Sequence, residues 1–130
     1  MKRTISDNEF YQVKVDTTKN RMYLTLKGVW RAPKETPNYV ADVIKGARML
    51  SGKFTLLSNF SMLLPFQPTV WEEVHYPALQ ALFQNGVGRA AQILPRNEDT
   101  TALLEEKAKV SGIELMAFGD EEIAERFLDG

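Results

Sequence analysis

The chain has 130 residues, 44% hydrophobic and 25% charged, which is room for one domain with a genuine core. It contains no cysteine, so disulfides, thiolate metal sites and thiol nucleophiles are excluded, and no apolar run approaches the ~18 residues a membrane span needs. The net charge of −1 hides an asymmetry: residues 1–50 hold ten Lys/Arg against five Asp/Glu, and residues 51–130 hold six against twelve.

Such a layout steers a charged partner or favours head-to-tail association, unless it is simply two solvated faces that differ. The basic residues are spread over several elements rather than along one stripe, so nucleic acid is not an expected partner. The opening MKRTISDNEFYQ lacks the apolar stretch of a signal peptide, and a cytoplasmic protein is the expectation. Residues 1–9 are expected to form a loosely ordered segment.

Tyr11, Val13 and Val15 share one face of an alternating run, and Met22, Leu24 and Leu26 share one face of the next. With DTTKN between them, the two runs predict an antiparallel hairpin whose other face is partly wet. RAPKETPNYVADVIKGARMLSG predicts a helix capped by Thr36, with Pro37 at its first position and Gly52 closing it. Its stripe is Tyr39, Val40, Val43, Ile44, Ala47 and Leu50. KFTLLSNF, too short for a helix, predicts a buried strand.

The stretch SMLLPFQPTVWEE poses the main question, because residues 59–68 read as a loop and polar turn residues are the norm there. Met62, Leu63, Leu64 and Phe66 are apolar instead. Thr69 and Glu72 predict a capping box opening the second helix, whose stripe is Trp71, Val74, His75, Ala78, Leu79, Leu82 and Phe83. Pro77 inside it predicts a kink or break near Tyr76. GRAAQILP predicts a strand, Asn97 caps a helix that Gly112 ends, IELMAF predicts the last strand, and Asp120 caps a short final helix.

The order β-β-α-β-α-β-α-β-α predicts a single α/β domain over 1–130. Its sheet is expected to be mainly parallel and five-stranded, with an antiparallel N-terminal edge strand. No reaction is spelled out. His75 is the only histidine and sits on an apolar stripe, where a packed side chain is the commoner role than a base. Glu72–Glu73 and Glu105–Glu106 are sequence neighbours that point apart on a helix and form no acid/base dyad. GVGR precedes a strand and so lacks the setting of a dinucleotide loop. Trp30 and Arg31 pack or stack at the hairpin's exit. No enzyme, metal site or cofactor is expected.

From about Phe10 to Leu128 the element order resembles the SpoIIAA-like branch of the STAS domains, the sulfate transporter and anti-sigma factor antagonist family. NGVGRAAQILP is similar to the family's glycine, basic residue, alanine and apolar strand. MAFGDEEIAERFL resembles its closing segment through Phe118, Asp120, Glu121, Glu122, Ala124, Phe127 and Leu128. The resemblance implies a non-enzymatic protein-interaction or regulatory module. Anti-sigma factor antagonists tend to end the third strand in Asp and to start the next helix at a Ser that a partner kinase phosphorylates. Here the strand ends in Ser58 and Asn59, and Thr69 is the one hydroxyl at that helix start, a candidate phosphosite that Glu72 and Glu73 would oppose.

Two functions are therefore expected. The first is docking of a protein partner, or self-association, through residues 59–68 and the start of the second helix, with Met62, Leu63, Leu64, Phe66 and Trp71 as the patch. The alternative is a carrier of a small apolar or lipid-like ligand, in a pocket at the C-terminal end of the parallel strands. Some SpoIIAA-like proteins resemble the lipid-transfer CRAL-TRIO fold, which is the analogy behind that alternative. Against both stands the plainer reading, that the loop folds under the second helix and completes the core.

Overall fold

The computed structural model describes residues 2–111 and 116–130. Six strands form one sheet in the order of the chain: β1 (Lys2–Asp7), β2 (Tyr11–Asp16), β3 (Arg21–Gly28), β4 (Thr55–Leu63), β5 (Ala90–Ile93) and β6 (Met116–Phe118). The first two pairings are antiparallel and the remaining three are parallel. The expectation of five strands is thus corrected to six. Residues 2–7 are a strand rather than loosely ordered chain, and β1, not β2, is the N-terminal edge. The segment KRTISD has no alternating apolar pattern because only Ile5 packs against the core; charged residues such as Lys2 and Arg3 suit an open edge.

Helices connect the parallel strands. α1 (Tyr39–Ala47) follows a 3-10 turn at Pro33–Glu35. Its N-cap position is Asn38, not Thr36, and it ends at Ala47, well before Gly52. α2 is a rod in three stretches, Pro68–Val70, a π-helical turn at Trp71–His75, and Tyr76–Gln84. α3 is Glu98–Ser111 and α4 is Glu121–Asp129. Asn97 caps α3 as expected, its Oδ1 accepting from the Thr100 amide at 3.1 Å. Asp120 caps α4 by accepting from the amides of Glu122 and Ile123. The expected stop at Gly112 and residues 113–115 of the last strand lie outside the described residues.

α1, α2 and Leu104 of α3 pack on one face of the sheet. There Tyr11, Val13, Val15, Met22, Leu24, Leu26, Leu56 and Phe60 form the main core. α4 alone covers a smaller cluster on the opposite face, of Tyr23, Leu57, Ala91, Ile93, Ala124 and Leu128. In β3 and the first part of β4 the even–odd split between the two clusters, Met22 and Leu24 against Tyr23 and Leu56 against Leu57, follows from the period of two. Gly46 lets α1 approach closely: a Cβ built there would lie 2.9 Å from Met22 Cε and 3.3 Å from Val15 Cγ1.

Because strand order follows chain order, the charge asymmetry of the sequence becomes a spatial one. The basic first fifty residues build β1–β3 and α1, and the acidic remainder builds β4–β6 and the other helices. The two halves are stitched where α4 reaches back: Lys19 pairs with Glu125 at 3.0 Å, and Arg21 pairs with Glu125 and Asp129.

Candidate functional site

The apolar stretch after the third predicted strand resolves into two populations. β4 runs on to Leu63, so the expected loop 59–68 shrinks to a short connection, residues 64–67, before α2. Between Thr25 and Lys27 the β3–β4 register shifts, Thr25 facing Asn59 but Lys27 facing Met62. Asn59 Oδ1 accepts from the Ser61 amide at 2.9 Å within that irregularity. One extra residue on β4 reverses the in–out alternation. Phe60 faces the main core, and after the shift Leu63 does too, while Met62 (58% exposed) and Leu64 (41% exposed) turn outward.

The connection is tied to the segment leaving β3. The Leu64 amide donates to Gly28 O at 3.0 Å, and the Gln67 amide donates to Trp30 O at 3.3 Å. These bonds fold Phe66 under α2, where its ring stacks with Trp71 at 6.5 Å between centroids. Phe66 and Trp71 are buried, so Leu63, Phe66 and Trp71 leave the expected surface patch and only Met62 and Leu64 remain on it.

Thr69 is exposed and makes no cap. The N-cap position is Gln67 and Pro68 takes the first helical position, where its missing N–H is no loss. That places Thr69 one residue inside the helix, and no capping box forms with Glu72. The irregularity expected near Tyr76 is present, as a π-helical turn that ends at His75 where the next α-helical stretch begins. This turn, just before Pro77, absorbs the helical hydrogen bond that proline cannot donate.

Around this junction the side chains leave a cavity lined by Leu26, Trp30, Leu63, Phe66, Val70, Trp71, His75 and Leu104. It lies at the C-terminal ends of the parallel strands β3 and β4, the usual ligand position in open α/β sheets. It is small. The inner space is about 10 Å³, one water's worth, and the unfilled volume counted out through the mouth is about 240 Å³. Trp30 is satisfied, its Nε1 donating to Phe10 O and Lys27 O. Arg31 stays outside, its backbone amide donating to Glu35 Oε1 at 2.7 Å.

His75 is the polar member of the lining. It is 4% exposed and ringed by Tyr39, Phe60 and Trp71, with centroids 6.1, 5.6 and 5.0 Å away. Nδ1 lies 3.2 Å from the Tyr39 hydroxyl, whereas the buried Nε2 has no hydrogen-bond partner among the described residues. Burial depresses the imidazole pKa from 6.5 to about 4, so the ring is neutral at physiological pH. An unsatisfied buried polar atom costs ~1–3 kcal/mol; Nε2 is packed away from the cavity, whose surface is wholly apolar. The sequence pointed to a packed histidine; its pairing with Tyr39, from another helix, was invisible in spacing.

Among the described residues no group of three or more His, Cys, Asp or Glu is placed to hold a metal ion. No helix there is long and apolar enough to cross a membrane. Compared with models of known protein families and with curated proteins, the chain matches none.

Proposed function

We propose that the protein binds a small, mainly apolar molecule in the cavity between the ends of β3 and β4 and the first turns of α2. The observation that carries this reading is an apolar cavity at the C-terminal ends of the parallel strands, the usual ligand position in such sheets. Ligand pockets are lined mainly by apolar and aromatic side chains, as this one is. The inner space holds about one water as it stands, so Phe66 and Trp71 must shift to admit a ligand.

Native mass spectrometry of freshly purified protein should show a bound mass that mild activation removes. The variant Leu63→Phe, which fills the cavity from β4, should lose that mass while keeping its circular dichroism. A bare spectrum for the wild type, together with no response of the tryptophan fluorescence to small apolar probes, sinks the reading.

A second reading is supported by Met62 and Leu64, which are exposed side by side on the rim of the same junction. In it the chain is a STAS-like, non-enzymatic interaction module that docks a protein or a second copy through this rim. Sedimentation velocity tests self-association: wild-type mass should rise with concentration, and Met62→Asp with Leu64→Asp should remain monomeric. A wild type that stays monomeric at all concentrations removes the second-copy form of this reading.

A further inference from the structure

We propose that β1 is a docking edge for a second copy of this chain. Two β1 strands pair antiparallel about a two-fold axis at Thr4, so that one sheet runs through both copies.

β1 is the outermost strand, paired with β2 on one side and with no described strand on the other. The backbone groups along such an edge are a template for another strand. Lys2, Arg3, Thr4 and Asp7 along it are all exposed.

The second copy is the partner because this edge is complementary to itself. Thr4 opposes Lys14 and Ser6 opposes Val13, which leaves Ile5 as an extra residue. Counted without it, the strand reads Lys2, Arg3, Thr4, Ser6, Asp7. Laid antiparallel on its own copy, it sets Lys2 against Asp7, Arg3 against Ser6 and Thr4 against Thr4. Opposite charges therefore meet twice, once on each side of the axis, and each Arg3 meets a hydroxyl acceptor.

The faces agree as well. Residues directly opposite across a strand pair share a face, whereas residues 2 and 7 of a regular strand point to opposite faces. The extra residue brings them to the same one. Lys2 opposes Asp16 and Asp7 opposes Gln12, both on the face of β2 turned away from Val13 and Val15. Lys2 Nζ lies 4.1 Å over the Tyr23 ring on that face, and its flexible stem lets it swing to the edge. Asp7 keeps 51% of its side chain exposed beside its contacts with Lys27 and Gln12. The bulge and the charges that turn away other strands thus match in this one register.

The first fifty residues are basic, so whole copies repel at a distance. Salt at ~0.15 M screens that field beyond about 8 Å and leaves pairs in contact. A two-fold pairing uses the β1 edge of each copy once, and so it closes as a dimer.

Sedimentation velocity at ~0.15 M salt tests this. Wild type should pass from monomer to dimer as concentration rises, and stop there. Lys2→Glu and Asp7→Lys each set like charges opposite one another twice, and each should weaken the dimer about tenfold. An equimolar mixture of the two variants restores opposite charges at both positions and should associate like the wild type. Met62→Asp with Leu64→Asp should leave this dimer intact, which separates the β1 edge from the rim.

Circular dichroism checks that each variant folds; should Asp7→Lys fail to, Lys2→Glu decides against the wild type. A wild type that stays monomeric or grows past the dimer overturns the inference. So do single variants that associate like the wild type, a mixture no better than its parts, and a dimer lost on changing Met62 and Leu64. The ligand-binding reading stands or falls separately.

Discussion

The guanidinium of Arg21, at the start of β3, donates from Nη2 to Asp129 Oδ1 at 2.7 Å, and so clamps the last helix to the interior of the sheet. Nη1 lies 3.0 Å from Glu125 Oε1, and Nε donates to Thr55 Oγ1 at 2.9 Å. The side chain is 2% exposed. Burial pulls the Arg21 pKa down, but the bonds to Asp129 and Glu125 outweigh it and hold the group charged. Burial pushes Glu125 up, but the nearby Tyr23 hydroxyl, the Lys19 hydrogen bond and the Arg21 guanidinium bring it below the ordinary carboxylate range.

The buried member of this network is the cation, so its two sides are not equivalent. Glu125→Gln combined with Asp129→Asn strands a guanidinium out of water and should cost about 3 kcal/mol. Arg21→Met frees two partly exposed carboxylates to meet solvent and should cost less. Urea denaturation of the two variants checks the order; a costlier Arg21→Met contradicts it.

Stability should fall in mild acid because of His75. Its ring titrates near 6.5 in the unfolded chain and at about 4 in the fold. Between those values the unfolded state holds more protons, so stability drops as the pH falls from 6.5, and the loss is complete below 4. The full effect is on the order of 3 kcal/mol. Carboxylates titrate in the lower part of the same window, so the measurement is a difference. Wild type should lose more stability from pH 7 to pH 4 than His75→Asn, and parallel curves would refute the assignment.

Leu63 and Leu64 are adjacent in sequence and opposite in burial. Leu63→Ala should cost about 2–5 kcal/mol, whereas Leu64→Ala should stay within about 0.5 kcal/mol. Chemical denaturation of the pair reads the strand irregularity at Asn59 directly. A costlier Leu64→Ala than Leu63→Ala would mean that the alternation runs on unbroken.

A glycine inside a helix is ordinarily improved by alanine, by ~1 kcal/mol. Gly46→Ala should instead destabilise by about 1 kcal/mol, because the new methyl meets Met22 and Val15 in a filled core. Met22→Leu removes the nearer obstacle. A double-mutant cycle on thermal stability should therefore show Gly46→Ala costing less in that background.

The sequence revealed what local chemistry controls. Alternation found β2 and β3, and Asn97 and Asp120 announced the helix starts through short side chains that satisfy free amides. β1 was missed because its order comes from pairing with β2, and KRTISD has almost nothing to bury. The false cap at Thr69 shows the weakness of a four-residue motif when a proline beside it sets the helix start two positions earlier. The apolar loop was misread for a subtler reason. Its residues belong partly to β4, and the register shift that reverses their faces depends on β3, a neighbour no local window contains. Asn59 in the middle of a strand pattern was the available hint.

Every strand in this sheet lies beside the one that precedes it in the chain. A ribosome delivering the polypeptide therefore presents each new strand to a template that has already emerged. β1, β2 and β3 can close as a meander before β4 is synthesised, and each later turn of the chain adds one strand to a finished edge. Assembly needs no early strand to wait exposed for a late one, which shortens the interval in which a bare edge is open to aggregation. Helix α4 is the exception: its carboxylates reach back to Arg21, so this late element also completes the burial of a much earlier strand.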